Sequence, residues 1–210
     1  MISLSEILHT IAQALMIPCL IILLVLMAGA VWQIGDIVVE YIAERRKHKC
    51  DVPQLLRDVH AAGADGLAEL IENSGLLRRQ KKALLELAES RGLPKDTLTA
   101  LAERLLATEE ARNARTTSIT DMIAKLGPMF GLLGTLIPLG PGIVALGQGD
   151  TVTLSESMNV AFDTTIAGVI SAAVASVISH IRKRWYNDDM VSLETLMEAV
   201  LEEVTGDVEG

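Results

Sequence analysis

Thr135 and Thr165 are polar groups in unusually apolar surroundings. Each places a hydroxyl in a long stretch of Leu, Ile, Val, Ala and Gly, and each lies on or beside a row of small residues. Such a hydroxyl has two uses. It can bond back to a carbonyl of its own helix, or it can line a polar path for an ion. Two hydroxyls in paired rows of small residues favour the path. Asp163 stands close by and also has two readings. Its carboxylate is either a third group of that path or an interfacial residue near the outer end of a helix. Its early place in the helix, where negative charge is stabilised, favours the interface.

The rows themselves are regular. Ala161, Thr165, Gly168, Ala172, Ala175 and Ser179 follow alternating steps of four and three, which puts them along one helical face. Gly127, Gly131, either Gly134 or Thr135, and Pro138 form a second row. Missing side chains let membrane helices approach closely. These rows either pack two spans into a hairpin or line a space shared with other helices. No Asp, Glu, Lys or Arg falls in mid-membrane, and a proton relay usually needs an ionisable group. The chain alone is therefore expected to be insufficient for proton movement, and a partner must bring the charge.

Positioning these groups requires membrane spans. A spanning helix takes roughly 20 mostly apolar residues, and three segments qualify, at about 12–34, 122–146 and 159–181. The start Met-Ile-Ser-Leu-Ser-Glu lacks the basic residues of a signal peptide, so the first segment is read as a retained span. No Lys or Arg precedes Arg45, and none lies between Lys125 and Arg182. Arg45, Arg46, Lys47 and Lys49 follow the first span, Lys125 opens the second, and Arg182, Lys183 and Arg184 follow the third. The positive-inside rule then puts the N-terminus and the loop 147–157 outside and the C-terminus in the cytoplasm.

The expected organisation has four parts. Residues 1–44 hold the outer N-terminus and the first span, and 45–120 a cytoplasmic helical region. Residues 121–182 hold spans two and three with a short outer loop, and 183–210 form an acidic helical tail. Leu55, Leu56 and Val59, then Leu67, Leu70 and Ile71, recur at helical spacing, with Gly63, Gly66 and Gly75 as punctuation. A second helix is expected from about Leu76 to Arg91, and Pro94 suits the first turn of a third. No breaker follows Thr97 until Gly127, so the third helix is expected to run on into span two. Val191 to Val204 continue span three in the same way.

The fold class is therefore all-α, an integral membrane protein with three spans, two of them extended into a cytoplasmic helical region. Catalytic chemistry has little to stand on. His9, His48, His60 and His180 match no ligand spacing, and no nucleophile motif or phosphate loop is present. Cys19 and Cys50 lie at different levels, against a structural disulfide. No enzyme activity, cofactor or metal is expected. The net charge of −9 includes no basic patch with interleaved aromatics, against nucleic acid as a partner.

The segment from Gly127 to Leu136 (GPMFGLLGTL) resembles the "APLLGLLGTV" stretch of the MotA/TolQ/ExbB proton-channel family. Ala161 to Gly168 (AFDTTIAG) resembles that family's "AL-x-TTAxGL" stretch, and the similarity is clearest over about 114–181. The three-span layout looks like the TolQ and ExbB branch. The resemblance implies a homopentameric ring in the cytoplasmic membrane around single-span partners of the ExbD or TolR kind. Each partner contributes a membrane aspartate. Protons, or sodium ions in some members, pass between that aspartate and ring threonines, here Thr135 and Thr165, and drive work elsewhere. Gly131, Gly134, Gly168 and Ala172 would make close helix contacts.

The sequence also departs from the pattern. Pro138 stands where relatives usually have glycine, and Gly140-Pro141-Gly142 follows, so span two is expected to end or kink early. Span three lacks the proline of many relatives. Val160 stands nearest the position of an acidic residue found in ExbB-like chains, and Asp163 is a candidate substitute. The alternative function is a non-conducting membrane scaffold with the same ring architecture. A secondary transporter is disfavoured, because the Gly/Pro stretch has no internal repeat.

Overall fold

The computed structural model of the chain describes residues 4–45 and 51–206, and every regular element among them is helical. The elements are α1 (Leu4–Ala14), α2 (Met16–Glu40), a π-helical turn (Tyr41–Arg45), α3 (Val52–Asn73), α4 (Arg78–Glu89), α5 (Lys95–Gly147) and α6 (Thr151–Gly206). Across Leu15 the backbone bonds continue, from Leu15 N to Ile11 O and from Cys19 N to Leu15 O, each 3.0 Å. Among the described residues, three helices are long and apolar enough to cross a membrane: Glu6–Ala43, Lys95–Gly147 and Thr151–Gly206. The chain is a membrane protein. The basic residues Arg46, Lys47 and Lys49, together with His48 and Cys50, lie outside the described residues. So does the end of the acidic tail.

Contacts divide the chain into two units. The first comprises Met1–Asp36 and Thr117–Ile181, and the second Ile37–Thr116 and Arg182–Gly210. In the first, α2, α5 and α6 meet at Leu26, Ala30, Ile123 and Ala175. Gly29 brings α2 close there, since a Cβ on it would stand 3.1 Å from Ile123 Cδ1. The thiol of Cys19 donates to the Phe130 carbonyl at 3.4 Å and is not in a disulfide. Much of the remaining span surface is exposed Ile, Leu and Val, as lipid or neighbouring helices require.

The second unit is a polar helical bundle with its own core. Leu55, Val59, Leu67 and Ile71 of α3 pack with Leu84 and Leu87 of α4, Leu98 and Ala102 of α5, and Leu193, Leu196, Met197, Val200 and Val204 of α6. The acidic tail therefore supplies core residues alongside α3 to α5. Of the three glycines in α3 and the turn after it, Gly63 breaks the helix, with φ 63° and ψ 175°. Arg182 is 1% exposed and donates from Nε to Glu40 Oε2 at 3.1 Å. Tyr41 and Trp185 stack beside it, with ring centroids 6.1 Å apart. Burial, and then the Glu40 carboxylate, push the Tyr186 hydroxyl well above the usual phenol range.

Two sequence expectations are corrected here. Pro138 does not end span two, because α5 continues to Gly147 with Pro128, Pro138 and Pro141 all inside it. Each proline removes one backbone bond, and packing against neighbouring helices holds the remaining turns. The loop between spans two and three is also shorter than 147–157. Only Gln148, Gly149 and Asp150 separate α5 from α6. Gly149 takes φ 74°, a conformation that favours glycine. Asp150 then caps α6. Its Oδ1 accepts from the amides of Val152 and Thr153, each at 3.1 Å, and its Oδ2 accepts from Thr153 Oγ1 at 2.6 Å.

Candidate functional site

The glycine row of α5 lies directly against α6. A Cβ on Gly127 would stand 2.6 Å from Gly168 O, and one on Gly134 would stand 2.7 Å from Thr164 Cβ. A Cβ on Gly131 would stand 3.4 Å from Gly168 Cα and 3.7 Å from Thr165 Cα, and one on Gly142 would stand 3.2 Å from Ser157 Cβ. At the other end, Ser179 Oγ donates to Asp121 Oδ1 at 2.5 Å. Each step up α5 is matched by an equal step down α6, so the two spans are antiparallel with one register throughout. That register sets Pro138 at the depth of Ala161, a small residue that is 4% exposed.

The same register brings Thr135 and Thr165 to nearly one depth, about 1.5 Å apart along the axes. Both are half-buried at the edge of the packed face. Thr135 Oγ1 donates to Leu132 O at 2.7 Å, and Thr165 Oγ1 donates to Ala161 O at 3.0 Å. Each hydroxyl proton is thus directed at its own helix. The oxygen lone pairs remain available to accept from a hydrated ion or a protonated carboxyl group.

The fully packed threonine is Thr164, 4% exposed, whose hydroxyl lies 2.9 Å from the carbonyls of both Val160 and Ala161. The small-residue row of α6 passes through Ala161, Thr164, Gly168, Ala172, Ala175 and Ser179. Thr165 lies beside it. Asp163 is exposed, off the face that meets α5.

Sequence reasoning missed a polar group of residues one turn from the Ala30, Ile123 and Ala175 layer. Gln33, Thr117, Thr120 and Ser179 are all buried there, and Asp121 bonds Ser179. Thr120 Oγ1 is buried and has no hydrogen-bond partner among the described residues. The available signal was spacing: Gln33, Thr120 and Ser179 lie three or four residues from the apolar layer on their helices, and Thr117 lies three residues before Thr120. Among the described residues no group of three or more His, Cys, Asp or Glu could hold a metal ion. His60 Nδ1 contacts Leu56 O at 2.9 Å, and His180 is exposed.

No curated protein matches the chain. The family model described as the MotA/TolQ/ExbB proton channel family matches residues 70–195, more than half of the sequence, and covers both glycine-packed spans. The chain belongs to the MotA/TolQ/ExbB proton channel family and is a component of a proton-channel-type membrane complex.

Proposed function

We propose that this protein is the ring-forming subunit of an ion-driven, energy-transducing complex in the cytoplasmic membrane. It conducts ions together with a single-span partner of the ExbD or TolR kind, with its N-terminus outside and its C-terminus in the cytoplasm. One observation carries the reading: Thr135 and Thr165 share a depth and are half-buried, beside a glycine contact that brings the two backbones together. Two hydroxyl oxygens at one level make an acceptor site for a proton or sodium ion passed from a partner carboxylate. Asp163, exposed on the same helix, adds negative charge near the outer mouth.

The helix surface left uncovered by the hairpin is broad and apolar, with Leu132, Leu136, Phe162, Ile166 and Val169 exposed. That surface suits lipid and further copies of the chain. The test is the native mass of the detergent-solubilised protein, co-expressed with a single-span protein encoded beside it. Five copies with added partner mass are expected. A monomer or dimer without partner would overturn the ring. A ring that never binds a single-span protein would favour the non-conducting scaffold.

A further inference from the structure

Thr120 departs from a habit of its own helix. Thr99, Thr108, Thr116 and Thr135 of α5 each donate to a carbonyl three or four residues earlier. Thr120 makes no such bond. Its Oγ1 has no hydrogen-bond partner among the described residues, and the residue is 0% exposed. A buried hydroxyl in that state has lost its hydration and gained nothing in return. Such groups in folded proteins generally meet a water or an ion.

The surroundings favour an ion. Thr120 lies one turn before Ile123, on the face of α5 that packs with α2 and α6. Gln33 lies one turn after Ala30 and Ser179 one turn after Ala175, so the three share the layer next to the Ala30, Ile123 and Ala175 contact. Gln33 and Ser179 are buried as well. Ser179 Oγ donates its one proton to Asp121 Oδ1 at 2.5 Å, a length that suits an ionised acceptor. The serine oxygen is left with lone pairs alone, and the carboxylate has more acceptor sites than one serine fills. The layer thus offers hard oxygen acceptors and the charge of one carboxylate. Water would serve the hydroxyl and leave that charge as it is. A small monovalent cation serves the oxygens and offsets the charge. Calcium cages draw on more carboxylates than one.

We propose that Thr120, Asp121 and Ser179 bind a sodium ion, through Thr120 Oγ1, Ser179 Oγ and the Asp121 carboxylate, with the Gln33 amide beside them. The site is separate from the Thr135 and Thr165 pair, since Thr135 lies fifteen residues further along α5, about 22 Å at helical rise. It requires neither conduction nor a partner chain.

The test is thermal unfolding of the full detergent-solubilised chain, without a partner, in sodium, potassium or N-methylglucamine chloride at one ionic strength and pH. Sodium raises Tm above the value in N-methylglucamine, and potassium raises it less. Thr120→Val and Asp121→Asn each retain less than half of the sodium rise. Ser118→Ala, an exposed position off this face, retains all of it. In N-methylglucamine, Thr120→Val is at least as stable as the parent, because it removes an unpartnered hydroxyl. If Asp121→Asn does not fold, Thr120→Val and calorimetric titration of the parent with sodium decide. Equal Tm in the three salts, or a full sodium rise in Thr120→Val, would overturn the proposal. So would a loss of stability in Thr120→Val that is the same in every salt, which marks a hydroxyl served by water. A sodium rise lost in Thr165→Val and kept in Thr120→Val would place the ion at the other threonine level, and would also overturn it.

Discussion

A Cβ placed on Gly168 would stand 2.5 Å from the carbonyl oxygen of Gly127 and 2.9 Å from Gly131 Cα. Spans two and three therefore meet backbone to backbone, and even a methyl group forces them apart. Gly168→Ala is expected to destabilise the protein by about 1–3 kcal/mol, the usual cost of overpacking. Gly35, inside α2, has nothing within 4 Å of such a Cβ. Gly35→Ala is expected to be neutral or stabilising by up to about 1 kcal/mol. Thermal unfolding in detergent compares the two, and equal costs would show that close approach is not what the glycines provide.

The Arg182–Glu40 pair in the second unit makes a different kind of demand. With Arg182 1% exposed and Glu40 16% exposed, removing the guanidinium strands a carboxylate in a poorly hydrated place. Arg182→Ala is expected to cost about 3–5 kcal/mol. Arg182→Leu/Glu40→Leu is expected to recover most of that loss, because neither charge is then stranded. Denaturation of the single and double variants measures the coupling, and additive losses would contradict it.

Asp150 ties the turn between α5 and α6 to pH. The Thr153 hydroxyl, then the Thr153 and Val152 amides, hold its carboxyl below the ordinary value of 3.8. A depressed carboxylate stabilises the folded state fully above its unfolded pKa, and the contribution fades as pH falls through the folded one. The stability difference between the parent and Asp150→Ala is thus expected to be constant from neutral pH down to about 4. It should close only at more acidic pH. A gap that closes between pH 5 and 7 would refute the cap as its source.

Much of this architecture was legible from residue spacing. The three spans, the continuation of α5 and α6 beyond the membrane, and the glycine row are all written in local periodicity. What escaped the sequence depends on partners distant in the chain. Pro138 reads as a breaker until α6 packs on the turns around it. Thr164 and Thr165 are adjacent, and only the interhelix register shows that Thr164 fills the contact and Thr165 edges it. Asp121 with Ser179 and Glu40 with Arg182 join residues 58 and 142 positions apart, beyond any local pattern.

The distinction between the two adjacent threonines gives the most direct test of ion conduction. The measurement is ion flux across vesicles holding the protein and its single-span partner. Thr165→Val is expected to abolish flux while assembly and thermal stability are kept. Thr164→Val, which alters a hydroxyl already bonded inside the hairpin, is expected to leave flux near the parent level. Normal flux in Thr165→Val, with flux lost in Thr164→Val or in neither, would contradict the assignment of Thr165 to the ion path.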